Sequence, residues 1–201
     1  SVAVCAALLA TSPIWVGLLS LLLFRERIGA LAWAGAITTI SASVLLLTRN
    51  GISAESTTGI WMSLGSALAF AGYLICGRQM RGQRSLQDYF LGVTASSAMI
   101  MLAYTMVVGT HLGGFTATGW ACLIALAAVP HILGHGALNW AARRMSVFPV
   151  ASASLAEPVC AAGLAWILLG EAVSPKEVPL LLVILVGVAM AFWGSRRAIR
   201  P

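Results

Sequence analysis

Charge is what this sequence lacks. Asp, Glu, Lys and Arg make up 9% of its 201 residues, against about 25% in a soluble domain, whose hydrated surface requires them. Too few polar side chains are present to cover a globule in water, so a water-soluble fold is excluded. Other absences narrow the chemistry. No GxxxxGK[ST] loop occurs, which argues against direct ATP drive and leaves no cofactor expected. No aromatic-basic motif gathers the net charge of +6 into a nucleic-acid footprint. The four cysteines (Cys5, Cys76, Cys122, Cys160) stand inside apolar runs without metal-type spacing. They read as small buried hydrophobes and leave the redox compartment open. No basic stretch precedes the first apolar run, which makes that run a poor signal peptide.

Apolar sequence is what the chain has instead. The hydrophobic fraction is 60% and the mean hydropathy +0.94. About 20 apolar residues cross the ~30 Å hydrocarbon core as a helix, and seven candidate spans are present: residues 3–24, 31–47, 59–77, 89–108, 120–142, 148–169 and 178–193. The second and seventh are short and need flanking residues or local bilayer thinning. None alternates as barrel strands do, so the fold class is all-α integral membrane. Tryptophans at 61, 120, 140 and 193 fall near span ends, as an interfacial belt requires.

Arginine then sets the topology. One set of connections carries Arg25, Arg27, Arg78, Arg81, Arg84, Arg143, Arg144, Arg196, Arg197 and Arg200; the other carries only Arg49 and Lys176. The 10-to-2 split alternates strictly across the seven spans. Short basic loops stay in the cytoplasm. The chain is therefore expected to start outside and end inside, as a multi-pass protein of a bacterial inner (plasma) membrane.

The sequence also repeats itself. Laying residues 1–26 over 146–171, a shift of 145, matches seven positions, among them Pro13 with Pro158 and Glu26 with Glu171. The two copies would run in opposite directions through the membrane, five helices apart, as in an inverted repeat. Five-helix units imply ten helices in all. Residues 1–50 would be the last two helices of the first repeat and residues 51–201 the complete second repeat with a short cytoplasmic tail. Three helices are expected to be missing from the N-terminal side.

At this point the chain resembles the EamA-like members of the drug/metabolite transporter superfamily. The resemblance rests on Ser12-Pro13 leading to Leu23-Phe24-Arg25-Glu26-Arg27, on Trp33-Ala34-Gly35, on Gly59 and Ala71-Gly72-Tyr73, on Asn139-Trp140-Ala141-Ala142-Arg143, and on Leu155-Ala156-Glu157-Pro158 through Leu169-Gly170-Glu171. It implies a ten-helix inverted-repeat carrier of small metabolites working by alternating access, many such proteins being exporters.

Polar residues inside the spans are the candidate site. Glu157 costs about 2.5 kcal/mol or more to insert if charged; it reads as a proton-coupling or substrate-binding carboxylate, or as a neutral helix–helix hydrogen-bonding group. His131, His135 and Asn139 recur every four residues and share one helix face. They read as a stripe lining the transport path that faces Glu157, as part of a metal site, or as interhelical hydrogen bonds; no third His or Cys stands at ligand spacing, so no metal is assigned. Asn139 belongs to the family-like motif. Trp15 and Trp166 lie deeper in their spans and either line the cavity or pack. Pro13 and Pro158 should bend their helices. Glu26 and Glu171 should anchor loops at the membrane boundary, beside Arg25 and Arg27 or Lys176. Gly187 and Ala191 permit close helix contact, within one chain or between copies, so the oligomeric state stays open.

The function expected is a secondary active transporter, not an enzyme, that exports a small organic metabolite or drug and is coupled to protons. Its partners are the small-molecule substrate and the lipid bilayer, not nucleic acid. The alternatives are an integral-membrane metalloenzyme using His131, His135 and Glu157, or a truncated, non-transporting membrane subunit. The scarcity of polar residues along the path favours an amphipathic or zwitterionic substrate.

Overall fold

A computed structural model describes residues 2–48, 57–80, 82–109, 112–170 and 172–197. Among them every regular element is helical: α1 (Val2–Leu9), α2 (Ser12–Phe24), α3 (Ala30–Thr48), α4 (Thr57–Gln79), α5 (Leu86–Val108), α6 (Ala117–Leu126), a π-helical segment (Ala127–His135), α7 (Gly136–Ala142), α8 (Val147–Ser154), α9 (Glu157–Leu169) and α10 (Val178–Arg197). Five stretches have the length and hydropathy of membrane spans: Thr57–Gln79, Leu86–Val108, Ala117–Ala142, Val147–Leu168 and Val178–Ser195. Ser12–Phe24 and Ala30–Leu46 are shorter apolar helices. These seven fall on the seven runs read from the sequence.

The first and sixth runs are not continuous helices. Each is interrupted two residues before its proline, at Ala10-Thr11 and at Leu155-Ala156. The cause is local. A proline has no N–H for the carbonyl four residues back, and its ring crowds that carbonyl. Those carbonyls belong to Leu9 and Ser154, the last residues of α1 and α8. The chain tightens there into three-residue hydrogen bonds. Thr11 N donates to Leu8 O (3.1 Å) and Ile14 N to Thr11 O (2.9 Å); Ala156 N donates to Ala153 O (3.0 Å) and Val159 N to Ala156 O (2.9 Å). Thr11 (φ −76°, ψ −5°) and Ala156 (φ −76°, ψ −4°) share one conformation. Both prolines then sit in the first turn of the following helix, where a missing N–H leaves nothing further unsatisfied. A shift of 145 places α1 on α8 and α2 on α9 with identical limits.

The same shift relates the ends of α2 and α9, with opposite chemistry. Both helices close on a left-handed residue, Arg25 (φ 53°) in one case and Gly170 (φ 69°) in the other. A side chain in that region costs about 1–2 kcal/mol, which glycine avoids. Arg25→Gly is expected to stabilise the protein by about 1 kcal/mol, and Gly170→Val to destabilise it by about 1–2 kcal/mol. Thermal unfolding of the two variants in detergent checks the opposed signs.

The molecule divides by compactness into one unit of Ser1–Cys76 with Met145–Pro201 and another of Gly77–Arg144. In the first, α3 and α10 form the most extensive helix pair. They run antiparallel, because Ala32 lies against Gly194, Gly35 against Ala191 and Thr39 against Gly187. Gly187 and Ala191 thus serve contact within the chain. Beside this pair, Trp33 meets Phe148 edge-on, with ring centroids 5.1 Å apart at 63°. Gly17 of α2 makes room for them; a Cβ there would stand 2.6 Å from the Trp33 ring and 3.1 Å from that of Phe148.

In the second unit, α5, α6 and the π segment bury no residue at all. Their apolar side chains stand at the surface, Val107 at 87% exposure among them. Trp61, Trp120, Trp140 and Trp193 are exposed as well. The four cysteines are free and exposed, not buried as their sequence context implies. In a bilayer an apolar residue has no need to leave the helix surface, so burial does not follow from hydrophobicity.

Candidate functional site

Glu157 opens α9 and is exposed. It is residue 11 of the 22 in its span (157 − 147 + 1), the middle of the run Val147–Leu168. At the start of α9 Pro158 has no N–H, and Val159 N and Cys160 N both turn to the Ala156 carbonyl (2.9 and 3.1 Å) rather than to the carbonyls of α8. The carboxylate therefore lies at the positive end of the α9 dipole, the membrane position where a negative charge is least costly. The interruption at Leu155-Ala156 creates that position; an unbroken helix would have none at mid-span. The shift of 145 maps Glu157 onto Ser12, which is 2% exposed. One of two matching half-helix starts carries an acid, and the other a small hydroxyl.

Trp15 lies one turn into α2, partly buried, and its indole Nε1 is buried with no hydrogen-bond partner among the described residues. An indole N–H in that state is a donor waiting for an acceptor. Trp166, by contrast, is 62% exposed. Glu26 accepts a hydrogen bond from Ser146 Oγ (3.3 Å), joining the end of α2 to the residue that precedes α8. Glu171 lies outside the described residues.

In the other unit the structure brings His131 and His135 side by side, with ring centroids 5.6 Å apart. Both are on the π segment, which contains Pro130 and widens the helix by an extra residue per turn. His131 is held from α5. Thr94 Oγ1 is 3.1 Å from its Nε2, and the Phe90 ring lies 5.3 Å away. Asn139 is fully buried and donates through Nδ2 to the His135 carbonyl (2.7 Å). Its Oδ1 lies over Gly77, where a Cβ would meet it at 3.2 Å and the Tyr89 hydroxyl at 3.5 Å. Arg143, the next residue along the line, donates from Nη2 to the Arg84 carbonyl. Along the stripe the histidines are partly exposed, and Asn139 is buried. Glu157 and Trp15 belong to the first unit, and these residues to the second.

Thr94, Phe90, Tyr89 and Gly77 are absent from the sequence-derived set. Phe90 and Thr94 stand four apart on α5, so their common face was available as a signal; what they face was not. Among the described residues no three His, Cys, Asp or Glu side chains gather closely enough to hold a metal ion.

Five helices long and apolar enough to cross a membrane, with two shorter apolar ones, define an integral, multi-pass, α-helical membrane protein. The model of the EamA-like transporter family matches residues 57–193, more than half of the chain. The chain belongs to that family. It is 31% identical over 174 residues to an uncharacterized protein of Pseudomonas aeruginosa, a match covering 86% of this chain and 58% of that protein. It thus spans less than two thirds of that relative's length. A crystal structure of another protein superposes with a TM-score of 0.79 at 20% identity, over 98% of this chain and 69% of that one. At that identity the likeness speaks for the fold alone.

Proposed function

We propose that the protein is a secondary carrier that exports a small organic metabolite or drug by alternating access, coupled to protons. The observation that carries this reading is the pair of interrupted helices, α1–α2 and α8–α9, with limits matched at a shift of 145 in a member of a transporter family. Discontinuous helices in corresponding positions of two halves are where carriers place substrate and coupling ion, because the free helix ends supply polar groups at the bilayer midplane. The arginine split gives the two copies opposite directions, an inverted repeat, with the C-terminus in the cytoplasm. Residues 1–50 then close a first five-helix repeat and 51–201 make up the second.

In this scheme Glu157 takes up and releases the coupling proton. Trp15 donates its indole N–H to substrate, His131 and His135 line the path, and the buried Asn139 holds the His135 carbonyl behind them. The lining is poor in charge, which suits an amphipathic or zwitterionic substrate. The test is uptake into inside-out proteoliposomes of the full-length ten-helix protein, driven by an imposed proton gradient, across a panel of amino acids, nucleosides and cationic drugs. Accumulation of a compound that collapses with a protonophore is the expected outcome. Equilibration that ignores the proton gradient removes the coupling, and impermeability to the whole panel removes the carrier reading.

A further inference from the structure

A shallow groove of about 420 Å³ in the second unit is lined by Leu86, Trp140, Arg143 and Arg144. It lies where two spans meet the membrane boundary, since Leu86 is the first residue of one and Trp140 stands in the last turn of another. Two cations define it. The Arg143 guanidinium is fixed by the hydrogen bond from Nη2 to the Arg84 carbonyl, and its Nη1 is buried with no hydrogen-bond partner among the described residues. Arg144 is parked over the Trp140 ring, its guanidinium carbon 4.2 Å from the centroid. That contact restrains the side chain without using its N–H donors. None of the four lining residues is acidic. Arg144 keeps its N–H donors for the groove, Arg143 adds a second fixed positive charge, and no acid stands among the described lining residues, which suits a phosphate.

We propose that this groove binds the phosphate headgroup of an anionic lipid. The site sits at headgroup depth, and exposed tryptophan is the side chain that favours that depth. Leu86 and the indole give it apolar walls, and no residue of α5 is fully buried, so acyl chains have an exposed helix face to lie along. Basic pockets between spans are the usual form of such sites. A free phosphate would use the same donors but neither the walls nor the depth.

Native mass spectrometry of the purified full chain tests this with phosphatidylglycerol, phosphatidylcholine of matched acyl chains, and inorganic phosphate. At about fivefold in affinity per arginine near an anionic surface, two arginines should give one phosphatidylglycerol a preference of about 30-fold over phosphatidylcholine. Arg143→Gln with Arg144→Gln should erase it. Arg144→Gln alone, at an exposed side chain that does not threaten folding, should reduce it about fivefold. Arg27→Gln, in a different basic loop, should leave it intact. Equal retention of the two lipids overturns the proposal, as does a preference that survives both groove variants. Displacement of the lipid by millimolar inorganic phosphate overturns it too, and identifies a free-anion site instead.

Discussion

Glu157→Gln should abolish substrate-driven proton movement while leaving exchange of substrate for substrate measurable. The loss expected is roughly 100-fold or more, the scale on which a positioned proton-transfer group contributes. The variant keeps the shape and one hydrogen-bonding oxygen, so it removes the titratable proton and little else. The argument is positional. Glu157 is at mid-span, exposed, and in the first turn of a helix that begins inside the membrane. Its counterpart at the other half-helix start is Ser12, which does not titrate and is buried. No second acid therefore stands ready at the matching position to take over. Glu157→Asp, which keeps the proton on a shorter arm, should retain coupling at reduced rate. Undiminished proton flux in Glu157→Gln would reduce the residue to a helix-packing role and transfer attention to His135 and Asn139.

A second large effect is expected where a single methyl group is added. Gly187→Ala should destabilise the protein by about 3 kcal/mol, near the upper end for overpacking. The new Cβ would fall within 3 Å of the Gly35 carbonyl oxygen and of the Thr39 backbone nitrogen and hydroxyl. The first two are backbone, which no rotamer change can clear. Thr39 Oγ1 is already committed to the Gly35 carbonyl at 2.9 Å, so the hydroxyl has no easy retreat. Gly163→Ala supplies the comparison, because a Cβ there meets nothing within 4 Å. In α9 that change should be neutral or stabilise by up to about 1 kcal/mol through helix propensity. Unfolding in mixed detergent micelles resolves the two signs. Equal behaviour of the two variants would mean that the α3–α10 pair tolerates separation.

Much of the fold was legible because its causes are local. Composition alone requires lipid, and seven apolar runs give the helices and their approximate ends. Pro13 and Pro158 mark where two of those helices are interrupted, since the lost hydrogen bond depends on nothing beyond four residues upstream. The left-handed turn at Gly170 is legible for the same reason; the one at Arg25 is not, because arginine gives no sign of it. Family membership, too, followed from short motifs read in order.

What the sequence by itself determined, then, is the solvent, the spans and the points where helices break. Only the tertiary structure decided which faces meet. In water an apolar stripe on a helix names its buried side, but in a bilayer the lipid side is equally apolar and no periodicity separates the two. Hence the seam at Gly35, Gly187 and Gly194 emerged only when α3 and α10 were seen side by side. The same holds for Thr94 on His131, the seat of Asn139 over Gly77, and the exposure of all four cysteines. Close backbone approach and polar pairing, not hydrophobicity, choose the neighbours of a helix in lipid, and both are properties of two helices rather than of one.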